Sequence, residues 1–201
     1  MGDRRWHAVP PAVAPGDDAL TELERAAEEW IAPYWNADHL LRTRDFAIEL
    51  DRSASEAVRV ASLTHDIERH FPGGPHFDPK TMAPDDERYN REHSERSARF
   101  VVEWLRSRGA DGALVAAVEE LVLLHEWGGT PEADLVQSAD SLSFFDVNRD
   151  LGARWVREGR ATPAQARAKL DWTLDRIRVA RARELALPMH AAAVAALERA
   201  A

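Results

Sequence analysis

The sequence predicts an all-α protein, because apolar residues recur at helical spacing along most of the chain and no useful β-alternation occurs. Capping residues and Pro or Gly stops divide this pattern into separate helices. No internal repeat is visible. At 201 residues with 45% hydrophobic content, the chain has the size and composition of one domain with a packed core.

The first part of the chain divides into a tail and six predicted helices. Residues 1–16 are rich in proline and are predicted to form a flexible tail. The predicted helices that follow are residues 17–30, 36–50, 55–66, 90–108, 112–125 and 132–148. Asn36 or Asp38 and Ser53 or Ser55 are the predicted caps of the second and third. Residues 71–88 between the third and the fourth are predicted to form a long, functional loop.

The last part of the chain is predicted to be a helical extension. An arginine-rich helix is predicted over residues 163–187, with a short continuation after Pro188. We expect residues 17–150 to form the functional helical domain and residues 151–201 to pack on it. The arginines of the extension alternate with acidic residues and are predicted to form a solvated face with surface ion pairs.

Composition limits the chemistry and the partners. The absence of cysteine excludes disulfides, thiolate metal sites and cysteine nucleophiles, so a bound metal would need His, Asp or Glu ligands. The net charge of −9 argues against binding to nucleic acid or to a membrane surface. The chain has no apolar run of transmembrane length and no signal peptide, so a cytoplasmic location is expected.

Histidine and aspartate residues occupy positions where the helical pattern calls for apolar residues. His93 is in step with Val101 and Trp104, and His125 continues the stripe of the fifth predicted helix. The other members of this set are His39, His65, Asp66 and Asp140. Burying such groups without partners is costly, and convergence on a shared cation removes that cost. The sequence therefore predicts a buried metal site built from several helices.

The pattern His39…His65-Asp66…His93…His125…Asp140 resembles the HD superfamily of metal-dependent phosphohydrolases, in its six-ligand branch. The resemblance covers about residues 36–148. His39 with Arg42 is similar to the H-x-x-R form of the family. His65-Asp66 with Arg69 is similar to its HD-x-x-K form, with Arg in place of Lys. The segment from His125 through Gly129 to Asp140 is similar to that of small HD hydrolases that cleave dinucleoside polyphosphates.

The resemblance implies an HD-domain-like helical bundle that holds two divalent ions, Fe or Mn first, with Mg, Zn, Co or Ni as alternatives. Asp66 would bridge the ions, His39, His65 and Asp140 would hold one, and His93 and His125 the other. Asp66 and Arg69 would be catalytic, and Arg42 and Arg69 would bind substrate. His70, one helical turn after Asp66, is a further candidate for substrate binding. The implied partner is a small phosphorylated molecule such as a nucleotide, a dinucleoside polyphosphate or a simple phosphoester, hydrolysed by a metal-activated water.

Two alternatives stay open beside hydrolysis. Some HD-type proteins hold two irons with the same six ligands and cleave a small organic substrate with oxygen. They have a Lys four residues after the fourth His and a distant final Asp, whereas this chain has Gly129 and the nearby Asp140, which favours hydrolysis. A non-catalytic regulatory domain is less expected, because no ligand is missing. His76, Trp35 and Trp127 are further candidates for contact with substrate, and Glu126 is predicted to be an exposed turn residue.

Overall fold

A computed structural model describes residues 20–200 of the chain; the predicted tail at residues 1–16 lies outside them. The described part contains nine α-helices, one 3₁₀ helix and no β-strand, so the all-α prediction is confirmed. The α-helices are α1 (Glu22–Ile31), α2 (Ala37–Leu50), α3 (Glu56–Thr64), α4 (Glu87–Ser107), α5 (Gly112–Leu124), α6 (Pro131–Val147), α7 (Leu151–Arg157), α8 (Pro163–Asp175) and α9 (Ala180–Glu198). The 3₁₀ helix is Ile67–His70.

Most helices begin at a side chain that accepts a hydrogen bond from a backbone N–H of their first turn. Ser55 does so for α3, and Thr130 does so for α6, which then starts with Pro131. The same role belongs to Thr21, Asp86, Asp111 and Thr162. These caps satisfy N–H groups that have no partner within the helix, so local sequence fixes where each helix starts.

Helix α3 lies at the centre of the fold. Between Ala57 and Thr64 every residue except Arg59 is buried. Helices α1, α2, α5 and α6 pack around α3, α4 packs on α5, and α2 lies along α6. Since α3 ends at its C-cap His65, the chain delivers His65 and Asp66 directly into the interior.

The C-terminal third differs from the sequence prediction in three places. The prediction missed α7, and the single helix predicted over residues 163–187 is two helices, separated at residues 176–179. Side chains of α6 stabilise this break: Gln137 donates to the Arg176 carbonyl, and Ser138 Oγ accepts from the Val179 N–H at 3.1 Å. Helix α9 continues through Pro188; it has buried residues on both sides of the proline, and it packs against α6 and α8.

The long loop predicted after the third helix is present as irregular structure between Phe71 and α4. Phe71 stacks on Phe100 of α4 with ring centroids 4.3 Å apart. Further along, Phe77 packs against Tyr89 and Trp155. The loop therefore joins α4 to α7 and forms one wall of the cavity described below. No helix in residues 20–200 is long and apolar enough to cross a membrane.

Candidate metal centre

The structure brings all six predicted ligands together in the interior. His39 lies on α2, His65 and Asp66 follow α3, and His93 lies on α4. His125 caps the end of α5, and Asp140 lies on α6. Each of the six is buried. Five helices thus contribute to one centre, which explains why it occupies the middle of the bundle.

The six residues form two groups whose side-chain atoms could each hold an ion. The Asp140 cluster consists of His39, His65 and Asp140, and the Asp66 cluster consists of Asp66, His93 and His125. Within each cluster the candidate ligand atoms lie within 4.8 Å of one another. Neutral imidazole and carboxylate ligands suit divalent Fe, Mn, Zn and related ions.

The two clusters adjoin. The ring centroids of His65 and His125, one from each cluster, are 5.0 Å apart. Asp66 Oδ1 lies 2.9 Å from His93 Nε2 in its own cluster and 3.9 Å from His65 Nε2 in the other. Asp66 is therefore the carboxylate that lies between the two groups.

All four imidazoles are oriented by a hydrogen bond at Nδ1. His65 donates to the Ser62 carbonyl at 3.1 Å, and His125 donates to the Val122 carbonyl at 2.7 Å. His93 donates to Glu68 Oε1 at 2.9 Å. His39 donates to Ser143 Oγ at 2.9 Å, because the Ser143 hydroxyl itself donates to the His39 carbonyl. With Nδ1 protonated in this way, Nε2 carries the lone pair of each neutral ring.

The four Nε2 atoms point into the centre, where His93 Nε2 has one donor within reach, Arg69 Nη2 at 3.4 Å. Within the described residues, the Nε2 atoms of His65 and His125 are buried without a hydrogen-bond partner. His39 Nε2 lies 3.1 Å from Asp140 Oδ1, and His65 Nε2 lies 3.5 Å from the same oxygen. A lone pair that faces a carboxylate oxygen requires a cation or a proton between them. The donor set therefore fits metal ions on its own geometry.

Without a metal ion, a proton on Nε2 can take the place of the cation between an imidazole and a carboxylate oxygen. Burial lowers the pKa of His65, but the Asp140 carboxylate beside its Nε2 and the charge of Asp66 outweigh burial and raise that pKa above its ordinary value. Burial and the charge of Arg69 also lower the pKa of His93, but Asp66 and Glu68 outweigh them and raise that pKa above its ordinary value. Burial lowers the pKa of His125 to about 4, so its Nε2 is unprotonated at neutral pH. Metal binding would displace the Nε2 protons of His65 and His93.

Each carboxylate presents one oxygen to the imidazoles and the other to an arginine. Asp66 Oδ2 receives Arg69 Nη1 at 2.9 Å, and Asp140 Oδ2 receives Arg176 Nη2. Burial raises the pKa of Asp66, but the charges of Arg69 and His65 hold that pKa well below its ordinary value. For Asp140, burial likewise raises the pKa, but the charge of Arg176 and the neighbouring His39 and His65 rings hold that pKa well below its ordinary value. Both carboxylates are therefore ionised and available as ligands.

A cavity of about 410 Å³ opens onto the two clusters. His39, Asp66 and Asp140 lie at its metal-binding end. Its remaining wall comes from the long loop, α6, α7 and α8, and it is rich in basic and aromatic side chains. The basic residues are Arg69, Arg154, Arg160, Lys169 and Arg176. This volume suits a ligand the size of a small metabolite or nucleotide.

The structure places the predicted substrate-binding residues differently from one another. Arg69 lines the cavity beside Asp66. Arg42 does not line it; its guanidinium lies over Phe46 and donates to Asp146 at 2.6 Å. His70 is also outside the cavity, against Tyr34 and Phe71. Of the further candidates, His76 and Trp35 line the cavity and Trp127 does not.

Sequence reasoning missed several charged residues of the site, among them Glu68, which orients one of the imidazoles. Glu126, predicted to be exposed, is buried and pairs with Arg176. Arg176, expected on the solvated arginine-rich face, lines the cavity, as does Lys169, for which the sequence predicted no role. The adjacency of Glu126 to His125 could have indicated its position. No local signal distinguishes Arg176 from its arginine neighbours, because its position depends on the break between α8 and α9.

Comparison with protein-family models, with characterised proteins and with solved structures finds no match in any of the three. Fold and site together define an all-α protein with two adjoining, buried His/Asp clusters that could hold metal ions.

Proposed function

We propose that this chain is a metal-dependent phosphohydrolase with an HD-type site, which cleaves a phosphoester or phosphoanhydride of a small metabolite or nucleotide. One observation carries the proposal: four imidazole Nε2 atoms and two carboxylate oxygens converge at the end of a cavity lined with basic side chains. The basic wall supports an anionic substrate despite the net charge of −9.

Two divalent ions, Fe or Mn first, would lower the pKa of a water and offset the charge on the phosphoryl oxygens. The protein would supply the ligands that resemble those of the family, with Asp66 between the ions. Four neutral imidazoles and two carboxylates around two divalent ions leave a net charge near +2, which again favours an anion.

The remaining residues would position the substrate and its ligands. Arg69 is the basic side chain that reaches both Asp66 and the cavity, so it is the candidate clamp for the phosphoryl group at the ions. Glu68 fixes the ring of His93 through Nδ1, and Arg176 fixes the carboxylate of Asp140. Arg42 and His70 stay predictions from the sequence, without support from their position.

The second candidate function is an HD-type di-iron oxygenase, and one observation favours it. The lack of a lysine at position 129 counted against that reaction, yet Lys169 of α8 brings an ammonium group to the same cavity. Hydrolysis is the better supported of the two, because several further cations line the wall and Asp140 follows His125 closely.

A combined metal and activity measurement tests the proposal. Purified protein is analysed for bound metal, then loaded separately with Mn, Fe and Mg and screened for orthophosphate release from nucleotides, dinucleoside polyphosphates and sugar phosphates. We expect close to two ions per chain and phosphate release from a subset of these substrates. Oxygen consumption by the iron-loaded protein without phosphate release would instead support the oxygenase.

Matched aspartate variants make the test specific. Asp66→Ala removes the carboxylate between the clusters, and we expect it to lose metal and activity. Asp146→Ala removes an exposed carboxylate of α6 that pairs with Arg42 outside the cavity, and we expect it to keep both. The proposal is wrong if Asp66→Ala retains wild-type metal content and wild-type phosphate release.

A further inference from the structure

Lys169 is a cation of the cavity for which the described residues supply no anionic partner. It lies on α8, half-buried, and lines the cavity that leads to the metal-binding clusters. In the described part of the chain, no carboxylate oxygen lies within 4.0 Å of its Nζ atom, and Nζ makes no hydrogen bond. The other deeply placed cation, Arg176, is by contrast paired with both Asp140 and Glu126.

Aromatic rings hold the ammonium group of Lys169 in place without neutralising it. Nζ lies 4.2 Å from the ring centroid of Trp172, 5.7 Å from that of Phe144 and 5.9 Å from that of Phe77. Such rings attract a cation through their faces, but they accept no strong hydrogen bond from its three N–H donors. The side chain is therefore preorganised, with its donors available to a ligand in the cavity.

The charge of Lys169 fits this arrangement. Burial lowers its pKa to about 8, Glu126 opposes that change, and Arg176 and Arg69 add to it. The group is therefore mainly protonated at pH 7, and an anion beside it would restore a pKa nearer the ordinary value.

Two more arginines line the same cavity. Arg154 has no ion pair within the described residues, and Arg160 lies 3.9 Å from Glu158.

We propose that Lys169, with Arg154 and Arg160, forms a second anion-binding subsite, so that the substrate carries two separated anionic groups. One group is bound at the metal-binding clusters beside Arg69, and the other, a phosphate or a carboxylate, is bound at Lys169. This inference rests on the proposed function for the first group. It narrows the substrate to molecules such as bisphosphorylated metabolites, nucleoside polyphosphates or phosphorylated acids.

The chain offers an unusually specific probe, because Lys80 and Lys169 are its only lysines. Reductive methylation with ¹³C-formaldehyde keeps the lysine charge and gives one NMR signal for each lysine and one for the N-terminal amine. The signals that are lost in Lys80→Arg and in Lys169→Arg identify the two lysines. Protein loaded with Zn or Mg is titrated with methylenediphosphonate, phosphonoacetate and methylphosphonate. We expect the first two to shift the Lys169 signal saturably and to leave the Lys80 signal unchanged.

Binding to unmodified protein gives the second measurement. We expect wild type to bind methylenediphosphonate or phosphonoacetate at least tenfold more tightly than methylphosphonate, as a charge-assisted hydrogen bond allows. Lys169→Gln should lose that tenfold preference and bind methylphosphonate as wild type does. Lys80→Gln, which changes the other lysine, should behave as wild type. Comparison of the diphosphonate with phosphonoacetate separates a phosphate subsite from a carboxylate subsite.

Three outcomes overturn the subsite. The first is a Lys169 signal that none of the probes shifts, and the second is that Lys169→Gln binds methylenediphosphonate and phosphonoacetate as tightly as wild type does. The third is a loss of kcat in Lys169→Gln with KM unchanged. The last would indicate proton transfer instead of anion binding. If the two-anion probes shift Lys169 but no phosphoester is hydrolysed, the phosphohydrolase proposal fails and the subsite stands.

Discussion

The Asp66 cluster and the Asp140 cluster share one arrangement but differ in their arginine. In each, an imidazole Nε2 lies within 3.1 Å of one carboxylate oxygen, and an arginine holds the other oxygen. Arg69 follows Asp66 by three residues, and 32% of its side-chain surface is exposed at the cavity. Arg176 is 36 residues from Asp140, and only 10% of its side-chain surface is exposed.

The partners of the two arginines explain what each can do. Arg176 also pairs with Glu126 and donates to Ser141 Oγ at 2.9 Å, so its guanidinium is fixed by three side chains. Arg69 has Asp66 as its ion-pair partner, and its Nη2 lies 3.4 Å from His93 Nε2. A substrate phosphate can share the donors of Arg69 but not those of Arg176. We therefore expect the same kind of pair to serve folding in one cluster and, under the proposed function, substrate binding in the other.

The largest effect is expected from Arg176→Met. The substitution leaves Asp140 and Glu126 buried without their shared counter-charge, which costs about 3 to 5 kcal/mol of unfolding free energy. Urea denaturation in the presence of a chelator measures this loss without a contribution from metal. Arg181→Met, which removes an exposed arginine of α9, is the matched control and should unfold as wild type does. A loss in Arg176→Met no larger than in this control would contradict the structural role.

Arg69→Met should have the opposite profile, with a smaller loss of stability and a larger loss of binding. Since a charge-assisted hydrogen bond contributes roughly 1.5 to 3 kcal/mol, we expect a roughly 10- to 100-fold lower kcat/KM on the substrate found by screening. Calorimetry with inorganic phosphate provides a readout that does not need turnover. Arg69→Lys keeps the charge without the fork geometry and should recover part of the loss. Unchanged phosphate affinity in Arg69→Met would remove Arg69 from the binding site.

The contrast between the clusters also explains what the sequence could predict. Helical spacing indicated that His93 and His125 face inward, because they continue apolar stripes on their helices, and the motif resemblance indicated Asp66 and Arg69. Helices α1 to α6 were predicted for the same reason, because caps and periodicity are local. Even the membership of the two clusters agrees with the division that the motif implies.

The remainder of the site depends on contacts between distant segments. Arg176 reaches Asp140 because α8 ends at residue 175, and that end is stabilised by Gln137 and Ser138 of α6. Lys169 lines the cavity with its Nζ atom among rings from the loop, α6 and α8. A periodic pattern reports which face of a helix is apolar, but it does not report which neighbour that face meets. The basic wall was therefore not predictable from the arginine-rich segment itself.

A moderate effect on metal affinity is expected from Glu68→Gln. This variant tests whether the clusters differ in the hydrogen-bond acceptors that orient their imidazoles. Glu68 is a buried carboxylate between His93 and Arg96, whereas His39 is held by a serine hydroxyl and His65 by a carbonyl. Loss of such an outer carboxylate typically lowers metal affinity about 10- to 100-fold. In a competition titration with a chelator, we expect one of two binding constants to weaken. Glu92→Gln, on the exposed side of α4, should leave both constants unchanged.

The smallest effect is expected from Arg42→Ala, which tests the motif against the structure. The motif makes Arg42 a phosphate clamp, but its side chain pairs with Asp146 outside the cavity and is 33% exposed. A partly exposed pair of this kind contributes about 0 to 1 kcal/mol, so unfolding should change by no more than that. We expect kcat/KM to stay within about twofold of wild type, because Arg42 contacts neither cluster. A KM increase as large as that of Arg69→Met would mean that α2 presents Arg42 to the substrate. Arg42 would then be a second binding arginine, and its pair with Asp146 would have to open when substrate binds.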